Sequence, residues 1–221
     1  MSKTSPWLSI WTSPRLTIAS IVKKNANQGL WILAWIYGFL SLLNAFQALD
    51  LGHAFSLAPI LLLAVIFAPL WGFAIFSIWG ALVLLVGKIL RGNASFKEVR
   101  AAYAWSCVPL SASIVIWAIL LAIFGLSLFQ STLNNAPMPN SEVVVLFALL
   151  IGKVVFAIWS LVIFINALAQ VQSFSVLRSI CNILLAWVLA AFLIGVLWWG
   201  LSLVQVAQAP HMQLFFSLWQ I

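Results

Sequence analysis

The sequence predicts an all-α fold, a single bundle of five transmembrane helices preceded by short interfacial helices. Three observations carry this expectation. Of 221 residues, 65% are hydrophobic and 6% charged, with a mean hydropathy of +1.18, whereas charged residues make up about a quarter of an ordinary soluble domain. Five apolar runs are long enough to cross a hydrocarbon core of about 30 Å at 1.5 Å per helical residue. Nine of the ten Lys and Arg residues fall in the N-terminal segment and the connectors, in a pattern that fits one topology.

The five runs are residues 29–48, 57–87, 101–125, 143–168 and 181–205. The second would be about 46 Å long as a straight helix. It must therefore tilt, kink or begin with a short non-spanning piece, and Ala68-Pro69 is the natural break, because proline lacks a donor and clashes with the preceding turn. Cutting the run there would leave a first piece of about 12 residues, too short to cross. In a five-span chain the N-terminal segment (Lys3, Arg15, Lys23, Lys24), the connector with Lys88, Arg91, Lys97 and Arg100, and the connector with Arg178 share one side. The other side receives residues 49–56, 126–142 and the tail 206–221, which hold Asp50, His53, Glu142 and His211 but no Lys or Arg. The positive-inside rule then places the N-terminus inside and the C-terminus outside.

Residues 1–28 form a cytoplasmic or interfacial leader rather than a signal peptide, since no apolar run follows a basic start and no small-residue cleavage site closes one. "SPWLSIW" and "SPRLTIASIVKKN" each open with Ser-Pro, the pairing that starts a helix. Two short helices are expected, with Trp7, Leu8 and Trp11 on one face at the membrane surface. Residues 29–205 make the transmembrane domain, residues 134–142 ("NNAPMPNSE") a turn-forming external loop, and residues 206–221 an external tail. Small residues at helical spacing, Ser77, Gly80, Ala81 and Gly87 in one span and Ser106, Pro109 and Ser113 in the next, read as packing faces. Between these spans Gly92-Asn93 are expected to make the turn and Ser95 to cap a short helix with Glu98 three residues on, and Pro109 to bend the third span.

The chain offers little to catalysis. Asp50, Glu98 and Glu142 are its only acids, and Glu98 falls on the opposite side of the membrane from the other two, so no carboxylate pair is available. Asp50 and His53 in "DLGH" lack a second histidine or acid nearby in sequence and read as a polar turn, and Cys107 and Cys181 read as small buried hydrophobes. No phosphate loop, zinc-peptidase motif or nucleophile elbow appears. No enzyme activity, metal or cofactor is expected, and ten dispersed cations are too few for a nucleic-acid surface.

Two groups of residues remain as candidate sites. Lys23, Lys24, Lys88, Arg91, Lys97 and Arg100 could dock anionic lipids of the inner leaflet or a partner protein, each cation adding about 1 kcal/mol near such a surface. Lys153 lies about 15 Å inside the fourth span, where an ammonium costs on the order of 3 kcal/mol. Its outlets are carbonyls freed at Pro69 or Pro109, the side chains of Asn44 and Gln47, snorkelling to the outer headgroups, or a polar cleft that would favour an anionic lipid or substrate. Lys153, Asn166 and Gln170 are the polar steps that a transport path would use.

The segment "GKILRGNASFKEVRAAYAWSCVPL", residues 87–110, with Gly92, Ser95-Phe96, an Ala-Tyr helix start at Tyr103 and Pro109, resembles the Ypt-interacting protein (Yip) family of five-span membrane proteins. "IWTSPRLTIASIV", residues 10–22, is similar to that family's leader, with Pro14 and Arg15 at its centre. Residues 157–187 resemble its fourth span, connector and fifth span. Where family members often show Tyr four residues before the proline, this chain has Trp105, with Tyr103 displaced by two. The resemblance implies a membrane scaffold or adaptor in membrane organisation or trafficking, with a GTPase-type protein partner. A leader this short is more like that of prokaryotic members, which implies a bacterial cytoplasmic membrane, against the Golgi or endoplasmic reticulum of eukaryotic members. The competing expectation is a small transporter or lipid translocator built around Lys153. Against it stand the odd span count and the absence of an inverted repeat, objections that a homo-oligomer would remove.

Overall fold

A computed structural model describes residues 5–130 and 139–207 of the chain, with side chains through residue 202. Two short helices, α1 (Pro6–Thr12) and α2 (Pro14–Asn25), lead into α3 (Leu30–Ala48) and α4 (Leu57–Ile89), joined by a 3-10 turn at Leu51–His53. Three shorter helices follow: α5 (Phe96–Ser106), α6 (Val108–Ser111) and α7 (Ser113–Phe124), the last running into a 3-10 stretch at Gly125–Phe129. Two long helices, α8 (Asn140–Gln172) and α9 (Val176–Ala207), complete the described chain. Five segments are long and apolar enough to span a membrane: Leu30–Ala48, Leu57–Ile89, Val108–Phe129, Asn140–Gln172 and Val176–Ser202. The fold is the expected all-α polytopic bundle. The loop expected to be external, residues 134–142, lies largely outside the described residues, and so does the tail beyond Ala207.

The closest crossing is that of α3 on α4. Ala34 and Gly38 on one helix face Ala68 and Gly72 on the other, two small-xxx-small pairs that let backbones meet where apolar burial gives no preference for helix over lipid. A Cβ added to Gly38 would fall on the Ala68 carbonyl, and one added to Gly72 on the Ala34 carbonyl. Along the same seam Trp31 stacks on Phe73 at 4.8 Å, and the Trp71 indole donates to Ser41 Oγ at 3.2 Å.

This seam also explains why α4 is not divided at Pro69. The helix continues through the proline for 33 residues, about 50 Å. Pro69 leaves the Val65 carbonyl without its usual donor, and in hydrocarbon no water replaces it. The indole N–H of Trp35 on α3 does so, at 3.2 Å.

The third span departs from expectation. Residues 101–125 do not form one helix: the chain breaks at Cys107 and again at Ala112, on either side of Pro109, which cannot continue the preceding ladder. The apolar stretch that spans is Val108–Phe129. The preceding helix α5 is a separate element, buried through Val99–Ala102 and Ala104–Ser106.

The leader fills a step in the bundle. With Trp31 beside Phe73, α4 continues to Ile89, roughly 20 Å beyond the start of α3. Helix α2, 12 residues long, occupies that space. Ile10, Ile18 and Ile21 are fully buried in one cluster with Leu30, Trp105, Ile163 and Ala167, so leader and spans share a core. Trp7 and Trp11 pack against this cluster, whereas Leu8 stays exposed.

If the α3–α4 approach organises the bundle, Gly38→Ala and Gly72→Ala should each destabilise the protein by about 1–3 kcal/mol through overpacking. Gly195→Ala, where an added Cβ meets nothing within 4 Å, should leave stability unchanged. Thermal unfolding in detergent, followed by size exclusion, reads the difference.

Candidate functional site

The bundle has a cationic end. Asn27 accepts from Arg100 Nη2 at 3.0 Å, the Gln28 carbonyl accepts from Trp105 Nε1 at 3.1 Å, and the Ala94 N–H donates to Gln172 Oε1 at 3.4 Å. These bonds gather the leader, the 88–100 connector and the α8–α9 turn at one end. At the opposite end Gln130 Nε2 donates to the Gly52 carbonyl at 2.8 Å. Lys23 and Lys24 occupy the last turn of α2, where the helix dipole favours cations, and both are exposed. Lys88, Arg91 and Lys97 are exposed as well, Lys88 donating to the Gly92 carbonyl at 3.3 Å.

Arg100 is different. It is 9% exposed, and its guanidinium lies over the rings of Phe73 and Phe96 at 5.0 and 5.2 Å. Burial pulls its pKa down from the ordinary arginine value. It is thus a strut between α5, α4 and the leader rather than a docking cation. Pro14 occupies the first turn of α2, and Arg15 beside it donates through Nε to Asn166 Oδ1 on α8 at 3.1 Å.

The turn after α4 is made by Arg91 rather than by Gly92-Asn93. Arg91 takes the left-handed position, with φ at 61°, and the Gly92 N–H returns to the Gly87 carbonyl at 2.8 Å, the six-to-one bond of a Schellman motif. Gly92 is needed for space. A Cβ there would strike the Gln172 side-chain oxygen, as one on Gly87 would strike its amide nitrogen. Ser95 then caps α5 with its N–H on Glu98 Oε2 at 2.6 Å, the expected capping box.

Behind this turn Tyr103 joins the helices. Its ring contacts Tyr37, Phe76, Trp79 and Phe164, and its hydroxyl lies 3.4 Å from that of Tyr37. Trp105 is fully buried beside Trp7 at 5.3 Å. At the break before Pro109, Ser160 donates to the Ser106 carbonyl at 2.8 Å.

Lys153 does not snorkel along its helix. Its ammonium donates to Asn44 Oδ1 at 3.4 Å and lies over the Trp117 ring, 4.3 Å from the centroid. Both neighbours line a cavity of about 220 Å³ with Tyr37, Ser41 and Ser113. Asn44 stands four residues before the end of α3, about 6 Å. Measured against α3, Lys153 is therefore nearer the membrane surface than its own helix implies. Asn166 and Gln170 do not join it: Asn166 serves Arg15, and Gln170 is exposed.

The model of the Yip1 domain matches residues 8–198, from the leader through most of α9. The chain belongs to the Yip1 domain family. All three segments that carry the resemblance lie within the matched stretch. No curated protein and no solved structure matches the chain.

Gln172 is the polar residue of this Yip1 domain that sequence reasoning passed over in favour of Gln170. It is 1% exposed, and its amide nitrogen and both side-chain polar atoms of Asn182 are buried without partners. Helical phase was the available signal, since Phe164, Leu168 and Gln172 recur every four residues on the buried face. The same phase turns Lys153 toward the stripe of Phe156 and Ser160. Gln172→Ala should cost about 1–3 kcal/mol, because the Ala94 N–H loses its acceptor, whereas Gln170→Ala should stay within about 0.5 kcal/mol. Paired denaturation curves of the two variants test this.

Proposed function

We propose that this Yip1-domain chain is a non-enzymatic membrane scaffold or adaptor of the bacterial cytoplasmic membrane, with its cationic end facing the cytoplasm. One observation carries the reading. Leader, α5 and the 88–95 turn are tied to one another and to the core by shared packing and by buried and part-buried hydrogen bonds, Arg100–Asn27, Trp105–Gln28 and Ala94–Gln172 among them. Lys23, Lys24, Lys88, Arg91 and Lys97 are consequently displayed from a fixed surface. Preorganised charge of one sign suits a surface that meets anionic headgroups or an acidic partner protein, because little side-chain and loop ordering remains to oppose binding.

Transport is the weaker reading. Its three polar steps are dispersed: Asn166 lies 13 residues from Lys153 along α8, about 20 Å, and is engaged by Arg15. A membrane or GTPase-type protein partner and self-association both fit a docking platform.

Reporter fusions at residue 94 and after residue 221 should read cytoplasmic and external, respectively. Liposomes carrying the protein should show no ion or lipid flux above empty vesicles, and a photo-crosslinker at Lys97 should give a discrete protein adduct that one at Leu49 does not. Flux dependent on Lys153, or identical adduct patterns from the two positions, would contradict the scaffold reading.

A further inference from the structure

The Lys153 cavity is not used by the docking platform, yet it concentrates hydrogen-bond donors within the apolar part of the bundle. Among the described residues its ammonium meets neutral neighbours, the Asn44 amide oxygen and the Trp117 ring. Glu142, the acid on the same helix, is eleven residues away, about 16 Å. The hydroxyls of Ser41 and Ser113 line the same space. Trp117, which also lines it, is 1% exposed, and its indole N–H is buried without a hydrogen-bond partner. A cation and two hydroxyl side chains on one cavity, with no acid among its lining residues, select an anionic oxygen group.

The setting narrows the source of that group. Asn44 at the cavity edge is exposed, and Leu150, Ile151 and Val154 beside Lys153 are exposed apolar residues. The mouth thus opens sideways between α3 and α8, toward lipid. At about 220 Å³ the space is smaller than the roughly 300–1,000 Å³ of pockets that enclose a whole small molecule. It suits a headgroup whose chains remain in the bilayer, about one helical turn below the end of α3.

We propose that the cavity between α3, α7 and α8 binds the phosphate of one anionic membrane lipid, with Lys153 as its counter-charge and Ser41 and Ser113 as further donors. This goes beyond the scaffold reading and does not depend on it, because the site lies away from the platform.

Native mass spectrometry of the full chain, incubated with phosphatidylglycerol or with phosphatidylcholine of the same acyl chains, tests the assignment. The wild type and Lys153→Arg should retain one phosphatidylglycerol in preference to phosphatidylcholine. Lys153→Gln should reduce that retention about ten-fold, Ser113→Ala should reduce it less, and Arg178→Gln, which removes an exposed cation outside both sites, should leave it intact. Millimolar inorganic phosphate should not displace the lipid. Equal retention of the two lipids by the wild type, unchanged retention in Lys153→Gln, or an equal loss in Arg178→Gln would overturn the proposal, and displacement by inorganic phosphate would overturn the lipid as its source.

Discussion

The backbone contact between α3 and α4 is the constraint on which the rest of the bundle depends. Four small residues, Ala34, Gly38, Ala68 and Gly72, allow the two helices to touch through their main chains, and no larger side chain fits at the two glycines. In a bilayer such an approach is held by dispersion and hydrogen bonds rather than by expulsion of water. Two indoles supply hydrogen bonds here, that of Trp35 to the Val65 carbonyl and that of Trp71 to Ser41. The first also keeps α4 continuous past Pro69, so one contact fixes both the crossing and the length of the longer helix.

That register has consequences at both ends. Toward the cationic end α4 outruns α3, and the step is filled by the leader, whose isoleucines join the core. A segment that composition assigns to the membrane surface becomes part of the fold, and Lys23 and Lys24 inherit a fixed position from it. Toward the other end α3 stops early relative to α8. Asn44 and Ser41 therefore sit opposite Lys153, and a charge that looks deep along α8 is shallow along α3.

Composition, run length and charge placement made the number of spanning helices legible, because each rests on a large, local energy: the cost of unpaired backbone and of charge in hydrocarbon. The capping box at Ser95 and Glu98 was legible for a similar reason, since a cap is specified within four residues. Long-range pairings were not. The role of Arg100 depends on Phe73 and Asn27, distant in sequence, and its charge alone suggested a surface. Lys153 was recognisable as anomalous, but not its contacts, which come from α3 and α7. The division of the third span at Pro109 was visible as a bend, whereas the independence of α5 became apparent only from its burial.

The fixed cationic surface and the cavity lined by Lys153, Ser41 and Ser113 lie toward opposite ends of this Yip1-domain bundle. Both rest on the α3–α4 seam, and a double-mutant cycle on Trp35 and Pro69 tests that seam most directly. In the Pro69→Ala background residue 69 regains its N–H and can serve the Val65 carbonyl itself. Trp35→Phe should then cost about 1 kcal/mol less stability than it does in the wild-type background. Equal costs in the two backgrounds would show that the indole is not the donor that keeps α4 whole, and would contradict the account.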